Sequence, residues 1–298
     1  MKKGRLLLFD TNSIIHRAFH ALPPLKSKNG EPGGAIYGSL LAFFKIISDI
    51  NPHYVVAAFD SPGKTFRHKK YKEYKANRVK APEELIFQIK KTQEVFNNMG
   101  VTVLKKEGLE ADDIVGTVSF HAPANIETVI VTGDMDMLQL VNEKTKVYTL
   151  KRGVQESILY DKEKVKEKYD GISPKQIVDI KALWGDASDN IPGVAGIGEK
   201  TAIKIIKEFE NIENLYQKLR STSSLSTKIK EKLLKGEKIA FLSKELATIN
   251  KEGIFEYNFA DFVYNIKSEK TKEVLEDLGY LTLKRRFFKE EEKNLKLF

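Results

Sequence analysis

The sequence contains no cysteine and no long apolar run. Without thiols, disulfides and thiolate metal sites are excluded, and a reducing cytosol is permitted. The apolar run from Leu6 to Phe9 stops at Asp10, which leaves it too short for the core of a signal peptide. No run approaches the ~18 apolar residues of a membrane-spanning helix. Histidine is also scarce, with five scattered copies, so a zinc site is disfavoured. We therefore expect a cytoplasmic protein.

The chain has 298 residues, of which 41% are hydrophobic and 31% charged, which is enough to bury a core. Lys and Arg number 50 against 41 Asp and Glu, so the net charge is +9 and the sequence pI is about 9.2. An excess of positive charge favours polyanionic partners such as nucleic acid or an anionic membrane. A Lys-rich solvated surface explains the same composition equally well, so the choice depends on the motifs.

Apolar runs typical of buried strands alternate with helical periodicity in the first part of the chain. Strands are predicted at 5–9, 54–59, 101–104, 128–131, 146–150 and 157–160, and helices at 12–20, 35–50, 82–99, 110–120 and 136–141. From residue 161 the pattern is helical, at 161–169, 174–184, 199–209, 211–219, 226–235, 237–249 and 267–279. A turn is expected at Arg152–Gly153 and a charged, frayed tail from Lys284. Strand–helix alternation predicts an α/β core with a mainly parallel sheet flanked by helices at 1–170, followed by a helical region at 171–298.

Three of the predicted strands end at or just before an aspartate: Asp10 and Asp60 follow directly, and Asp134 follows after Thr132 and Gly133, with Asp136 two residues later. Glu110 and Asp112 lie at the start of a helix that packs on the sheet. Because ligands bind at the carboxyl ends of parallel strands, these acids are expected to converge on one edge. Each acid alone is more often a helix cap or turn residue, so the argument rests on the set.

The stretch from Trp184 to Ala202 adds two more acids and a glycine-rich hairpin. Asp186 and Asp189 lie three residues apart, and the hairpin at 193–198 leads into a helix from about Glu199. Two like charges 4 Å apart cost about 4 kcal/mol at an effective dielectric near 20, so divalent cations or protons must neutralise such a cluster. An all-oxygen site suits Mg²⁺ or Mn²⁺, and two such ions support phosphodiester hydrolysis. Glycoside hydrolysis is disfavoured, because it needs only two acids.

The hairpin is not a nucleotide-binding P-loop, because it follows a helix and its lysine, Lys200, comes one position late. Its backbone amides, with the N-terminus of the next helix, can hold a DNA phosphate. Lys200, Lys204 and Lys207 lie near that face. A plain turn between two packed helices is the alternative.

The segment 61–82 interleaves basic and aromatic side chains. Its members are Lys64, Phe66, Arg67, His68, Lys69, Lys70, Tyr71, Lys72, Tyr74, Lys75, Arg78 and Lys80. We expect a partly helical, mobile insertion that binds phosphates and stacks on unpaired bases, with a solvated loop as the alternative. Arg17, on the helix after Asp10, is a candidate contact to the scissile phosphate or a surface arginine.

These motifs resemble the 5′-nuclease family, specifically the 5′–3′ exonuclease domain at the N-terminus of bacterial DNA polymerase I and its free-standing relatives; flap endonucleases are more distant kin. The resemblance runs from about Leu6 to Phe288. It rests on Leu8-Phe-Asp10, Phe59-Asp60, Phe66-Arg-His68, Tyr74-Lys-Ala-Asn-Arg78, Glu110-Ala-Asp-Asp113, Thr132-Gly-Asp-Met-Asp136, Gly185-Asp-Ala-Ser-Asp-Asn190 and Gly193-Val-Ala-Gly-Ile-Gly-Glu-Lys-Thr-Ala202.

The resemblance implies a PIN/5′-nuclease-like fold whose cleft holds two Mg²⁺ ions, with Mn²⁺ as a substitute. The first ion would be held by Asp10, Asp60, Glu110 and Asp112. The second would be held by Asp134, Asp136 and Asp189, with Asp113 and Asp186 assisting. Every acidic position of the family pattern is filled.

The resemblance also implies how DNA is bound. Segment 61–82 would form a helical arch, with Lys75 and Arg78 at the scissile phosphate, Tyr74 stacked on a base, and Phe66 and Arg67 as further DNA contacts. A helix-hairpin-helix motif at about 190–202 would grip the duplex through Gly193, Gly196, Gly198, Lys200 and Thr201, often with a bound K⁺.

The expected function is a structure-specific 5′–3′ exonuclease and flap endonuclease of replication and repair, in which water attacks DNA without a covalent intermediate. The expected partners are DNA with 5′ flaps, nicks or ends, and a DNA polymerase. A monomer in the bacterial cytoplasm, associated with the nucleoid, fits this role. The alternatives are a non-catalytic junction-binding DNA protein and a PIN-type ribonuclease.

Overall fold

The computed structural model describes residues 4–150, 157–266 and 268–288. Within them, the strands form one six-stranded sheet in the order β3-β2-β1-β4-β5-β6. The strands are β1 (Gly4–Asp10), β2 (Tyr54–Ala58), β3 (Thr102–Leu104), β4 (Ile126–Thr132), β5 (Thr145–Leu150) and β6 (Ser157–Tyr160). All neighbouring strands are parallel except β5 and β6, which are antiparallel. The predicted mainly parallel sheet is confirmed.

Helices flank the sheet and make up most of the chain after residue 161. They are α1 (Thr11–Ala21), α2 (Gly34–Ile50), α3 (Phe66–Lys70), α4 (Glu83–Asn98), α5 (Ala111–His121), α6 (Lys162–Lys168), α7 (Ile177–Trp184), α8 (Glu199–Phe209), α9 (Ile212–Lys218), α10 (Thr227–Ala247), α11 (Glu269–Asp277) and α12 (Leu281–Phe287). Short 3₁₀ helices occupy 135–140, 174–176 and 259–262. None of the helices in the described residues is long and apolar enough to cross a membrane.

The core lies on both faces of the sheet. Along β1, Leu7 and Phe9 pack on one face and Leu6 and Leu8 on the other, and all four are at most 1% exposed. Burying each such side chain contributes about 1.5–3 kcal/mol. A separate apolar cluster joins α7 to α10 in the helical region. The position of β1 in the middle of the sheet places Asp10 at the centre of the edge formed by the strand ends.

Two elements differ from the sequence prediction. Residues 226–249 were expected to form two helices interrupted at Gly236, but α10 is continuous. Gly236 has a packing role instead: a Cβ there would lie 2.7 Å from Cγ1 of Val194. The tail was expected to fray from Lys284, but α12 continues to Phe287, and Leu283 and Phe288 are buried in the core. The predicted turn at Arg152–Gly153 lies outside the described residues.

Candidate active site

An acidic cleft of about 620 Å³ lies at the carboxyl ends of the parallel strands. Asp10 is the last residue of β1, whereas Asp60 and Asp134 each follow the end of their strand by two residues. The cleft is lined by seven of the nine predicted metal ligands, namely Asp10, Asp60, Glu110, Asp112, Asp134, Asp136 and Asp186. The structure therefore brings most of the acids together across more than 170 residues of sequence.

Asp10 is almost fully buried, and its carboxylate is held by local donors. The Thr132 hydroxyl donates to Asp10 Oδ2 at 2.6 Å, and the Ser13 amide donates to Oδ1 at 3.3 Å. Burial raises the pKa of Asp10 to about 7; the Thr132 hydrogen bond opposes this shift, and the charges of Asp60 and Asp134 add to it. The pKa of Asp112 is also raised, by burial first and then by the neighbouring acids. A cation in the cleft would relieve this repulsion.

Lys181 on α7 is a functional candidate that the sequence analysis missed. Its ammonium forms ion pairs with both Asp136 and Asp186. Burial alone would lower the pKa of Lys181, but the two carboxylates raise it above its ordinary value. Burial and the Asp134 charge raise the pKa of Asp136 to about 7, and Lys181 opposes that rise. The available signal was a lysine one helical turn before the acidic loop, on an otherwise apolar helix end.

Asp113 and Arg67 have a structural arrangement rather than the predicted ligand and DNA-contact roles. Asp113 is fully buried, and its two oxygens accept hydrogen bonds of 2.8 Å each from the Arg67 guanidinium. Arg67 also donates to the backbone carbonyls of Leu246 and Thr248 at 2.9 Å. Both side chains are buried in the interior, and Asp113, unlike its neighbour Asp112, does not line the cleft. The predictions of Asp113 as an assisting ligand and of Arg67 as a DNA contact do not fit this structure.

The segment 61–82 is only partly helical, as predicted, but much of it packs against the chain instead of standing free. Helix α3 covers five residues, and turns follow it. Tyr74, predicted to stack on a base, is 3% exposed; its hydroxyl lies 3.2 Å from Glu110 Oε2 and 3.1 Å from Asp189 Oδ2 and can donate to either. The ring is therefore not available for stacking. Phe66 is half-buried, with the Arg67 guanidinium 4.5 Å from its ring centre.

The basic residues of this segment do reach the acids. Lys75 Nζ donates to Glu110 Oε2 at 2.9 Å, and Arg78 pairs with Asp189. Lys75 has left-handed backbone (φ 55°), and its amide donates to the Asp189 carbonyl at 2.9 Å. Asp189 therefore contacts the basic segment. Unlike the seven acids named above, it does not line the cleft. Lys75 and Arg78 do line the cleft, as the phosphate-contact prediction requires.

Two further backbone-directed hydrogen bonds join the basic segment to the loop that contains Asp186 and Asp189. The Asn77 amide group donates to the Ala187 carbonyl at 2.7 Å, and the Asn190 amide group donates to the Glu73 carbonyl at 2.6 Å. With the Lys75 amide, they connect the two halves of the chain across one side of the cleft.

The glycine-rich hairpin is confined by close backbone approaches. Gly193 has φ +61°, and a Cβ there would lie 2.3 Å from the Gly185 nitrogen. Gly198 caps α8 and is exposed, with no atom near a Cβ position. Lys200 is exposed and Thr201 half-buried in the first turn of that helix. The exposed N-terminus of α8 is thus free to meet a phosphate.

Gly196, also predicted as part of the hairpin, has φ +77°. Its carbonyl accepts a hydrogen bond of 2.9 Å from Lys232 Nζ. An ammonium group therefore already occupies this carbonyl of the hairpin at which K⁺ was expected.

Arg17 does not lie with the acids. It lines a small apolar cavity between α1 and α2, with Ala18 and Leu41 among its neighbours. The preceding residue, His16, lines the acidic cleft instead. Adjacent residues of a helix point about 100° apart, so His16 faces the cleft while Arg17, one position later, does not. Lys168, Tyr169 and Trp184 also line the cleft and were not predicted.

The donor set suits hard divalent cations. The cleft offers carboxylate oxygens, several of them buried, and burial first and then repulsion among the acids raise the pKa values described above. Within the described residues, no three acids surround a single point closely enough to form a finished metal cage. Lys75 and Lys181 lie between pairs of acids and would have to give way for an ion to bind there.

Two family models match the chain in succession. Residues 5–170 match the 5′–3′ exonuclease, N-terminal resolvase-like domain, and residues 172–270 match the 5′–3′ exonuclease, C-terminal SAM fold. DNA polymerase I of Bacillus subtilis (strain 168) is 40% identical over 284 residues, 95% of this chain and 32% of that protein. DNA polymerase I of Caldicellulosiruptor bescii is 42% identical over 274 residues, 90% of this chain and 31% of that protein. The chain therefore spans about a third of the length of these relatives.

Solved structures share the fold at low sequence identity. The T5 5′-exonuclease with bound zinc superposes with a TM-score of 0.70 at 19% identity, covering 93% of this chain and 98% of that chain. A complex of the bacteriophage T5 D15 flap endonuclease with DNA and metal ions gives 0.69 at 20%, covering 92% and 99%. The catalytic core of Rad2 with a DNA substrate gives 0.56 at 18%, covering 94% and 92%.

The fold predicted from the sequence agrees with these structures, and the two family matches follow one another along most of the chain. The predicted resemblance is confirmed: the chain belongs to the 5′–3′ exonuclease family.

Proposed function

We propose that the chain hydrolyses phosphodiester bonds of DNA at 5′ flaps, nicks or ends. The observation that carries the proposal is the convergence of seven acids in one cleft that is bordered by Lys75 and Arg78. Acids that repel one another at this density call for divalent cations, and the neighbouring cations suit a phosphate backbone. Membership of the 5′–3′ exonuclease family and the DNA-bound T5 and Rad2 structures support the same substrate.

We propose Mg²⁺ as the cofactor, with Mn²⁺ as a substitute. Asp10, Asp60, Glu110 and Asp112 would hold one ion. Asp134 and Asp136 would hold the other, with Asp186 assisting, and Asp189 would join them once Arg78 and Tyr74 release its carboxylate. When bound, such a pair supplies charge that activates water and stabilises the leaving oxygen. The T5 5′-exonuclease with divalent metal ions supports a divalent cofactor. Asp113 is not included because Arg67 occupies both its oxygens, and K⁺ is not included because Lys232 contacts the Gly196 carbonyl.

The chain's own cations would position the substrate. Lys75 pairs with Glu110 and Arg78 with Asp189, and both can exchange a carboxylate for a phosphate oxygen when the strand enters. At the glycine-rich hairpin, the amides at the N-terminus of α8 and the exposed Lys200 and Lys204 would hold duplex phosphates. These contacts fix register and read no base, which fits recognition of DNA structure over sequence.

The experiment is cleavage of a 5′-end-labelled flap DNA by the purified chain, in Mg²⁺ and in EDTA. The matched substrates are the same duplex without a flap and the same flap made of RNA. Release of a short labelled product from the DNA flap, in Mg²⁺ only, is the expected result. Tight binding without cleavage in Mg²⁺ or Mn²⁺ would instead identify a junction-binding protein. Cleavage confined to the RNA flap would identify a ribonuclease.

We further propose that the chain acts as a monomer in the bacterial nucleoid, with its α/β core at 1–170 and its helical DNA-binding region at 171–298. The relatives that carry the name DNA polymerase I support a DNA polymerase as the functional partner. Size-exclusion chromatography with light scattering tests the monomer, and a dimer that persists at nanomolar concentration would contradict it.

A further inference from the structure

Trp184 is the only tryptophan of the chain, and its side chain is 44% exposed inside the acidic cleft. The residues before it, Ala182 and Leu183, are buried in the core of the helical region. Within the described part of the chain, no aromatic ring pairs with the indole and no hydrogen bond leaves its N–H group. A large apolar ring is thus presented to a cleft whose other walls are mostly charged.

The backbone holds this ring in place. Trp184 is the last residue of α7, and Gly185 follows it with φ +83°. The Leu183 carbonyl accepts a hydrogen bond of 2.8 Å from the Val194 amide of the hairpin. A Cβ on Gly193 would lie 2.5 Å from the Trp184 carbonyl carbon, so the hairpin backbone packs directly on this residue. The indole is therefore displayed from a fixed backbone between the acids and the hairpin.

Its neighbours in the cleft fit a nucleotide. Lys168 and Tyr169, at the end of α6, line the same cleft, and the Lys168 ammonium lies 5.4 Å from the Tyr169 ring centre. Lys168 is exposed and lines the same cleft as Trp184, so the cleft offers a cation for a phosphate as well as a ring for a base. Single exposed tryptophans are common on protein surfaces, but this one lies among the proposed metal ligands.

We propose that Trp184 stacks on a base of the cleaved strand that adjoins the scissile phosphate, an inference that rests on the proposed function. Aromatic rings hold single-stranded bases without reading their identity, because every base has a π-face. Tyr74 is buried and bonded to the acids, and Tyr169 is half-buried beneath the Lys168 ammonium, so Trp184 is the most exposed aromatic side chain that lines the cleft within the described residues. Stacking at this position orients the phosphate over the acids and makes Trp184 a positioning residue.

Because the chain has one tryptophan and 11 tyrosines, emission excited at the red edge of the spectrum, beyond the tyrosine absorption band, reports on this residue alone. Flap DNA is titrated into the wild-type chain in Ca²⁺, and a gel of the same samples verifies that the DNA stays intact. Stacking predicts saturable quenching of the emission. Two further flaps each carry one abasic nucleotide, either just before or just after the cleavage position. One of these two flaps should bind with clearly reduced quenching. Equal quenching by all three substrates would overturn the inference.

Mutation and substrate changes are then combined. With the intact flap in Mg²⁺, Trp184→Ala should lower kcat/KM roughly 5- to 100-fold, the range that one lost base stack produces. Trp184→Phe should restore most of it. On the abasic substrate, the wild type and Trp184→Ala should differ by less than about twofold, since the base is already absent.

The matched control is Phe120→Ala, which removes an exposed aromatic side chain at the far end of α5, outside the cleft. It should leave both fluorescence quenching and cleavage unchanged. If Trp184→Ala lowers cleavage of intact and abasic flaps by the same factor, its role is structural and the inference fails. If the wild type cleaves no DNA in Mg²⁺, the proposed function fails first, and the quenching titration still decides whether Trp184 meets a base.

Discussion

At the scale of single residues, the buried ion pair between Arg67 and Asp113 fixes the start of the basic segment 61–82 against the rest of the chain. Arg67 is 2% exposed and Asp113 is fully buried, so each charge depends on the other. The guanidinium also bonds carbonyls nearly 180 residues along the chain. The pair attaches α3 to α5 and to the end of α10, and it keeps one side of the cleft in position.

We expect Arg67→Ala to lower the free energy of unfolding by about 3–5 kcal/mol, because it leaves the buried Asp113 carboxylate without its counter-ion, held by the amides of Glu110 and Asn250. Urea denaturation measures the change. The control is Lys70→Ala, which removes an exposed ion pair with Glu245 and should cost less than about 1 kcal/mol. Equal losses for the two variants would show that the buried pair has no special weight.

Asp134→Ala tests the acids of the cleft. Its carboxylate accepts the Asp136 amide at 2.8 Å and is one of the lining acids. We expect cleavage to fall at least about a thousand-fold, because loss of metal charge removes several kcal/mol of transition-state stabilisation. Binding of flap DNA, measured by fluorescence anisotropy, should change little. Asp277→Ala, at an exposed position on α11, is the control. A parallel loss of binding and cleavage in Asp134→Ala would argue against a catalytic role.

The sequence predicted the acids well and their neighbours less well. Asp10, Asp60 and Asp134 follow apolar strands, so their place at the sheet edge follows from strand direction alone. Arg67 and Tyr74 were misassigned because their burial depends on residues 246–248 and on Asp189, which are distant in the chain. Local sequence carries no record of such contacts.

At the scale of elements, the hairpin shows which glycines are required. Gly193 combines a left-handed backbone with a close approach to Gly185, whereas Gly198 has ordinary φ and open space around it. The two positions belong to one motif, but only the first is confined.

Gly193→Ala should therefore cost about 2–5 kcal/mol, from left-handed strain of ~1–2 and overlap of ~1–3 kcal/mol. Gly198→Ala, which only replaces a helix-capping glycine, should cost less than about 1 kcal/mol. Thermal and urea unfolding of both variants measure these values. A Gly193→Ala protein as stable as the wild type would mean that the hairpin backbone is not confined as described.

Element boundaries were predicted to within a few residues where apolar periodicity was strong, as in α2, α8 and β4. The break expected at Gly236 was wrong because a glycine inside a helix costs only about 1 kcal/mol, which packing against Val194 offsets. Sequence alone does not distinguish a glycine that ends a helix from one that admits a neighbour.

At the scale of the whole molecule, the acids of the cleft lower the free energy of unfolding of the metal-free protein. Burial and mutual repulsion raise the pKa values of Asp10, Asp112 and Asp136. A cation that binds the folded chain only should therefore stabilise it.

We expect Mg²⁺ at about 100 times its dissociation constant to add about 2.7 kcal/mol to the free energy of unfolding. For a chain of this size, that raises the melting temperature by several degrees, at about 2–4 °C per kcal/mol. Differential scanning calorimetry in EDTA and in Mg²⁺ measures the shift. NaCl at matched ionic strength is the control, and an equal shift in NaCl would indicate screening without a specific site.

The overall architecture followed from the alternation of strands and helices, but the pairing between the halves did not. The bonds from Asn77 to Ala187 and from Asn190 to Glu73 join segments more than 100 residues apart through backbone carbonyls. Because every residue has a backbone carbonyl, the sequence does not indicate which carbonyl a side chain will bond.

The central position of β1 has a consequence for how the protein is made. β1 pairs with β4, which is synthesised later, and the hydrogen-bonded residues Asp10 and Thr132 are 122 positions apart. At roughly 5–20 residues per second, β1 waits about 6–24 seconds for that partner to be translated. During this interval β1 can pair with β2, which is made earlier, but the edge that β4 will cover stays unpaired. Until β4 has been made, the sheet edge at which Asp10, Asp134 and Asp136 meet is incomplete, so the acidic cleft is assembled only after the residues that separate its acids have been joined.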